Sequence, residues 1–342
     1  MKMIRNIKIY RFLPIALGSI IAFGCAKDVS PSNNELNKEY LEKWVQKNYP
    51  DAKIAGNGIY ILEETAGNGK TYNGEPFARI SSTTSSLSGE IVATTYEGIA
   101  KQLGIYNESH YYGPQTWNMD IEYMPVGLYD MIYGMKKGER RKALIPSWLM
   151  GYKRYKKASE YIKKNPKDAV TTIYDIKLED FTEDMLKYQT DSIERYIART
   201  YPGLDSTKTG FYYKQLKAPS SPVTEKDTTI YINYTGRLLN GQVFDTTIED
   251  TAKTYRVYNP KKSYKPVGVN RTRNYQDISF SGSEKSSLIP GFQLLLSKMG
   301  ANEKAVAIFV SDYGYGSRSS GKTIPAYSPL LFEVQLTDKP SK

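Results

Sequence analysis

The chain contains the same segment twice. Leu41, Trp44 and Val45 lead to Tyr49-Pro50 and on to Gly58-Ile59-Tyr60. Ile193, Tyr196 and Ile197 lead to Tyr201-Pro202 and on to Gly210-Phe211-Tyr212. The two runs stand 152 positions apart, and that register still holds at Leu87/Leu239 and Gly89/Gly241. Further on, Gly127/Gly291 and Met135/Met299 match at 164, and Tyr174/Phe332 and Leu178/Leu336 at 158. Solenoid units run about 20–50 residues, so a repeat this long is a duplicated domain. A chain of 342 residues has room for two, at roughly 100–200 residues each.

Each unit reads in the same order. An amphipathic helix comes first, its apolar residues spaced by three and four: Leu41, Trp44 and Val45 in one copy, Ile193, Tyr196 and Ile197 in the other. The proline after Tyr49 or Tyr201 stops it. Strands are predicted at 58–63 and 210–216, 77–83 and 228–235, 142–145 and 305–310, and 172–178 and 330–336, with a short helix beginning near Gly127 and Gly291. Many strands and one short mid-unit helix imply an α+β class, a twisted antiparallel sheet wrapped around a helix, built twice.

Composition narrows the chemistry. One Cys and one His exclude a disulfide framework and a Cys/His zinc site, and a Ser-His-Asp triad would have to use His110. A surface position is the plainer reading of that lone His. The formal charge of +11 includes Lys2, Arg5, Lys8 and Arg11 at the N-terminus. The remaining excess is spread along the chain without a dense basic run, which argues against nucleic acid.

The N-terminus is an address. Behind those four cations, Phe12–Gly24 is apolar apart from Ser19, 13 residues against the ~20 needed to span a bilayer. It ends in Ile21-Ala22-Phe23-Gly24-Cys25, which resembles a bacterial lipobox with Ala22 in place of the usual Leu and a bulky Phe23. An incidental thiol is the alternative. The resemblance implies a signal peptide over residues 1–24 and acylation of Cys25. The polar, Pro- and Ser-containing run behind it reads as a flexible tether over 25–37, and the repeat places domains at 38–180 and 181–342. Acyl chains add ~0.8 kcal/mol per buried methylene, so several hold a protein at a membrane surface.

The second copy carries Tyr234-Thr-Gly-Arg-Leu-Leu-Asn-Gly241-Gln-Val-Phe244-Asp245, Leu288-Ile289-Pro290-Gly291-Phe292, Met299, Asp312-Tyr-Gly-Tyr315-Gly316, Ile324-Pro325 and Leu331-Phe332-Glu-Val-Gln-Leu336. In this order the segments resemble the FKBP-type peptidyl-prolyl isomerases, over roughly 228–336. The resemblance implies two FKBP-like domains and a reaction, rotation about an Xaa-Pro amide, that needs no nucleophile, metal or cofactor. It also implies pocket walls at Tyr234, Phe244, Phe292 and Phe332, with Ile324 as an apolar cover. Ile289 would offer a backbone N–H to a substrate carbonyl, Tyr315 a phenol donor, and Asp245 a carboxylate beside the carbonyl site. Phe332 serves equally well as core. Ile278 is a further candidate wall. Phe292 stands where the family most often has Trp, and Asn302 where it usually has Gly. The 30 residues Ile248–Asp277 are far longer than the family's connection and hold seven Lys/Arg against three Asp/Glu. They read as a solvated loop or as a client-contacting rim.

The same offsets put Ser82, Val92, Ala93, Pro125, Leu128 and Gly151 at the site positions of the first copy. Pro125 has no N–H to offer. The loop bearing Ile324 becomes a basic stretch, 153–167, read as partly helical. The first copy is therefore expected to keep the frame without the chemistry, with 106–123 as an adhesive surface or as buried packing. The expected protein is a peptidyl-prolyl isomerase at the bacterial envelope, lipid-anchored in the outer membrane and facing periplasm or surface. It would act on proline-containing exported polypeptides. The alternative is a non-catalytic FKBP-like binding or assembly scaffold. Acylation has a direct test: Cys25→Ser should abolish detergent-phase partitioning of the mature protein, and unchanged partitioning would remove the lipoprotein reading.

Overall fold

The computed structural model describes residues 34–164, 169–204, 210–223, 227–282 and 288–340. The signal segment and Cys25 lie outside the described residues. In the first copy α1 (Asn34–Asn48) is followed by β1 (Lys53–Ala55), β2 (Ile59–Thr65), β3 (Phe77–Ser85), β4 (Ile91–Thr94), α2 (Glu97–Gln102) and β5 (Gln115–Asn118). Then come α3 (Val126–Ile132), β6 (Arg140–Ile145), α4 (Ala158–Lys164) and β7 (Thr172–Thr182). The second copy runs α5 (Met185–Thr200), β8 (Phe211–Lys217), β9 (Thr228–Leu238), β10 (Val243–Thr246), α6 (Glu249–Thr254) and β11 (Val267–Arg271). It closes with β12 (Ser279–Phe280), α7 (Pro290–Lys298), β13 (Lys304–Phe309) and β14 (Leu330–Thr337).

Among the described residues each copy forms a seven-stranded antiparallel sheet: β1-β2-β6-β7-β3-β4 with β5 also on β3, and β12-β11-β9-β14-β13-β8 with β10 also on β9. The repeat seen in the sequence is a repeat of register. Ser82 faces Ile176 as Tyr234 faces Val334, and Ala93 faces Thr84 as Asp245 faces Gly236. A hydroxyl pair, Thr83 with Thr94, recurs as Thr235 with Thr246, both at 2.9 Å. Glu139 accepts from the Lys136 N–H at 2.8 Å and Glu303 from the Gly300 N–H at 2.7 Å, buried side chains tying the same turn twice.

The centre of the second copy is buried on both faces. Phe332, Val334 and Leu336 of β14 point under α7, where they meet Phe292, Leu295 and Leu296. Leu331 points the other way with Val306, Ile308 and Tyr212, against Ile193 and Ile197 of α5. That is why β13 reads as a near-continuous apolar run. The Asp184 carboxylate accepts from the Lys187 N–H at 2.9 Å and caps α5. Proline opens α7 at its first turn, where a missing N–H costs nothing.

Three expectations change. The last residues of the predicted tether, from Asn34, already form the first turn of α1, fastened where the Asn34 amide donates to the Ile162 carbonyl at 2.8 Å. β7 continues to Thr182, past the expected boundary at 180, because Phe181 and Thr182 still pair with Ala78 and Phe77. Residues 248–277 are not a plain loop: they contain α6, and β11, which pairs with β9 from Val267 to Arg271. The basic stretch 153–167 does contain a helix, α4.

Gly291 brings α7 onto the sheet: a Cβ there would stand 2.6 Å from the Phe309 ring. Gly291→Ala should therefore destabilise the second copy by about 1–3 kcal/mol, seen as a lower urea midpoint. Undiminished stability would mean that α7 does not seat this closely.

Candidate active site

Four rings meet above the core of the second copy. β9 supplies Tyr234, the strand after the hairpin supplies Phe244, the first turn of α7 supplies Phe292, and β14 supplies Phe332. Phe292 and Phe332 lie 4.7 Å apart between centroids, Tyr234 and Phe292 5.4 Å, and Phe244 and Phe332 5.5 Å. Phe332 also stacks on Phe309 at 5.8 Å and 11°, so it belongs to the box and to the core at once. Gly236 faces Phe332 across the ladder, and a Cβ there would stand 2.5 Å from the Phe244 ring. Ile324 is buried in the same cluster, on a loop closed by reciprocal backbone bonds with Ser320 at 2.9 and 3.2 Å. Ile278 is fully buried there too, its carbonyl taken by the Gln293 amide at 2.9 Å.

The polar groups sit at the rim. The Tyr234 hydroxyl donates to an Asp245 oxygen at 2.5 Å, and the Lys262 ammonium pairs with the other Asp245 oxygen. Burial, then the Asp245 charge, its hydrogen bond and Tyr315, push the Tyr234 phenol far above its ordinary value, so it remains a donor. Tyr315 itself is partly exposed at 39 %, beside Gly316 with φ +61°. Ile289 caps α7 with its carbonyl, which accepts from Phe292 and Gln293 at 3.0 and 3.1 Å. Its N–H has no acceptor among the described residues. The sequence-predicted residues Tyr234, Phe244, Asp245, Phe292, Ile324 and Phe332 are thus brought together, with Tyr315 and Ile289 at the edge. Asn302 holds φ +59°, the conformation that Gly138 adopts at φ +85° in the first copy, and asparagine tolerates it best after glycine.

In the first copy Val92 is exposed and Ala93 stands where Asp245 would be. Leu128, fully buried, keeps the floor apolar, and Pro125 opens α3. Among the described residues no group of His, Cys, Asp and Glu could hold a metal ion. A separate cleft of about 450 Å³ lies between the copies, walled by Arg79, Tyr111, Arg195, Arg199, Leu239 and Pro325. It shares none of the four rings.

Sequence reasoning missed two contributors. Lys262 was only one of seven cations in a long connection. Tyr111 of the first copy packs against the second copy's core, and its N–H donates to the Lys322 carbonyl at 2.8 Å. Beside it the Gln242 amide donates to the His110 carbonyl at 3.2 Å, and Arg256 pairs with Glu108 at 3.1 Å. Segment 106–123 is therefore partly docked on the second copy. The signal lay in the repeat itself: Thr94-Thr95, Glu97, Ala100-Lys101, Tyr106-Asn107, Tyr112 and Pro114 recur 152 positions on as Thr246-Thr247, Glu249, Ala252-Lys253, Tyr258-Asn259, Tyr264 and Pro266.

The family model for FKBP-type peptidyl-prolyl cis-trans isomerases matches residues 221–337, within the second copy. FK506-binding protein 1A of Aspergillus fumigatus is 32% identical over 125 residues, covering 36% of this chain and 89% of that protein. The chain belongs to the FKBP-type peptidyl-prolyl cis-trans isomerase family. The FKBP-type 22 kDa peptidyl-prolyl cis-trans isomerase of Escherichia coli is 24% identical over 136 residues, 40% of this chain and 53% of that protein. Outer membrane protein MIP of Legionella longbeachae is 27% identical over 138 residues, 40% of this chain and 48% of that protein. The chain spans about half the length of these bacterial relatives. Among solved structures, FkpA from Escherichia coli aligns over 46% of this chain and 60% of that chain, at 22% identity and a TM-score of 0.31.

The FKBP-type copy and its partner share a pH signature. Burial raises Tyr234, and pushes Tyr60 of the first copy up to about 12 from 10.0. A phenol whose folded value lies above its unfolded value favours the fold while neutral. That stability is fully present below the unfolded value and is lost as pH rises through the folded one. The urea midpoint should therefore stay level up to about pH 9 and fall from about pH 10 upward. Tyr234→Phe should reduce that fall, and a slope identical in the variant would separate Tyr234 from it.

Proposed function

We propose that the second copy is a peptidyl-prolyl cis-trans isomerase and the first a frame without that chemistry. The observation that carries this is the four-ring box with a phenol–carboxylate pair, Tyr234 and Asp245, at its rim. The Xaa-Pro amide resists rotation by ~18–20 kcal/mol because resonance gives its C–N bond double-bond character. At the twisted geometry that resonance is lost and charge separation falls, so an apolar box of Phe244, Phe292 and Phe332 favours it over either planar isomer. Donors at the rim, the Ile289 N–H and the Tyr315 phenol, would hold the carbonyls that flank the rotating bond. Proline is recognised by shape, and nothing on the chain has to be protonated or deprotonated during turnover.

The lipobox-like Cys25 supports anchoring at the bacterial envelope, where the clients would be proline-containing exported polypeptides. Uncatalysed isomerisation takes tens to hundreds of seconds at 25 °C, slow enough to limit their folding. A binding or assembly scaffold is the second reading, favoured by one observation: the Lys262 ammonium already occupies Asp245.

A protease-coupled assay on the full chain separates the two. The wild type should accelerate isomerisation of a proline tetrapeptide. Phe244→Ala with Asp245→Ala removes a wall worth about 1.5–3 kcal/mol of apolar burial and should lower kcat/KM roughly ten- to hundredfold. Tyr315→Phe removes one hydrogen bond and should cost about two- to twelvefold. Peptide binding without turnover would hand the case to the scaffold reading. A folded double variant with full activity would move the chemistry out of the box.

A further inference from the structure

The long connection after β10 is a built arm. Glu249 and Lys253 pair at 2.7 Å along α6, and the Lys253 ammonium lies 5.3 Å over the Tyr258 ring. Tyr258 stacks on Tyr264 with centroids 5.2 Å apart. Between the rings, the Asn259 N–H donates to the Tyr264 hydroxyl at 2.8 Å, the Lys261 N–H to Asn259 Oδ1 at 2.9 Å, and the Lys262 N–H to the Asn259 carbonyl at 3.0 Å. The tip of the arm is therefore fixed from within, and Lys262 is its reaching side chain.

The first copy is an internal control. Glu97 and Lys101 pair at 2.6 Å, Lys101 lies 4.7 Å over Tyr106, and Tyr106 stacks on Tyr112 at 5.3 Å. The Asn107 N–H meets the Tyr112 hydroxyl at 3.1 Å, and the His110 N–H meets the Asn107 carbonyl at 3.0 Å. The scaffold is the same, but His110 replaces Lys262 and Ala93 replaces Asp245. Only the copy with the aromatic box pairs an ammonium with a carboxylate at this place.

We propose that Lys262 is a specificity-determining residue of the second copy, selecting polypeptide segments with an aspartate or glutamate next to the proline. This rests on the isomerase reading of the same site. The ion pair is partly exposed, with side-chain exposures of 33 % for Lys262 and 41 % for Asp245. An exposed pair contributes little, so an incoming carboxylate can share or take the ammonium at small cost. A segment lying across the box also displaces water from the rim, which strengthens its attraction to Lys262. A lysine beside the proline finds both Asp245 oxygens already taken, by the Tyr234 hydroxyl and Lys262, and must displace the Lys262 ammonium it repels, so it is disfavoured.

The test uses the full chain and the peptides Ala-Glu-Pro-Phe, Ala-Leu-Pro-Phe and Ala-Lys-Pro-Phe. The readout is the ratio of kcat/KM for the Glu and Lys peptides in the wild type, Lys262→Met and Lys262→Glu, with folding checked by circular dichroism. The ratio should fall roughly three- to tenfold in Lys262→Met and further in Lys262→Glu, and high salt should narrow the wild-type preference. An unchanged ratio in Lys262→Met overturns the proposal. If the wild type turns over none of the peptides, the isomerase reading fails, and calorimetric affinities for the same peptides and variants decide. A Glu-to-Lys affinity ratio that moves with Lys262 supports the selectivity, and an unmoved ratio or no binding overturns it.

Discussion

Everything at the site hangs on how closely α7 lies against the sheet. Gly291 has no side chain to hold the helix off Phe309, so the Phe309 ring can stack beneath Phe332, and Phe332 can reach Phe292 at 4.7 Å. The box floor is thus an extension of the core. The second link is Gly236, which leaves room for Phe244 over β9 where any Cβ would collide. Two positions without side chains let three phenylalanines and a tyrosine converge. Such packing is dense and resists adjustment, which suits a site that works by shape.

The two copies separate what the fold requires from what the site requires. Both keep the threonine hydroxyl pair across the hairpin and the buried glutamate that ties the turn after the helix. These satisfy polar groups that burial would otherwise leave unpaired. At the positions that differ, Val92 for Phe244, Ala93 for Asp245 and Pro125 for Ile289, the first copy keeps its frame: Ala93 still pairs with Thr84 in the ladder and Pro125 is still buried at the start of α3. Phe292 and Phe332 serve both the core and the ring cluster, while the Asp245 carboxylate and the Ile289 N–H have no counterpart in the first copy.

Much of this was legible in the sequence. Strand and helix order followed from alternation and from the three-and-four spacing around Leu41 and Ile193, and the duplicated register was visible at Tyr49/Tyr201. The box residues came from a resemblance, not from periodicity: Phe332 reads as any inward residue of an alternating strand, and only its neighbours make it a wall. The arm was not legible as an element. Its order comes from a tyrosine stack, an asparagine turn and cation–ring contacts, none of which has a period, and its six-residue helix, α6, is too short to announce itself. The extension of β7 past 180 escaped for a related reason: Phe181 is held by its partner Ala78, far away in sequence.

The arms also give the first copy a structural part in the second. Glu108 and Tyr111 belong to the first copy, yet they meet Arg256 and Lys322 of the second, and Arg256 holds φ +58° where the first copy has Gly104 at φ +69°. A left-handed arginine is strained relative to glycine. Replacing that glycine keeps the turn, and the added side chain reaches Glu108. That pair is largely exposed and contributes little, so it marks where the two arms meet and does not repay the strain. The first copy's arm thus stays in contact with the second through Glu108 to Arg256 and through the Tyr111 N–H to the Lys322 carbonyl.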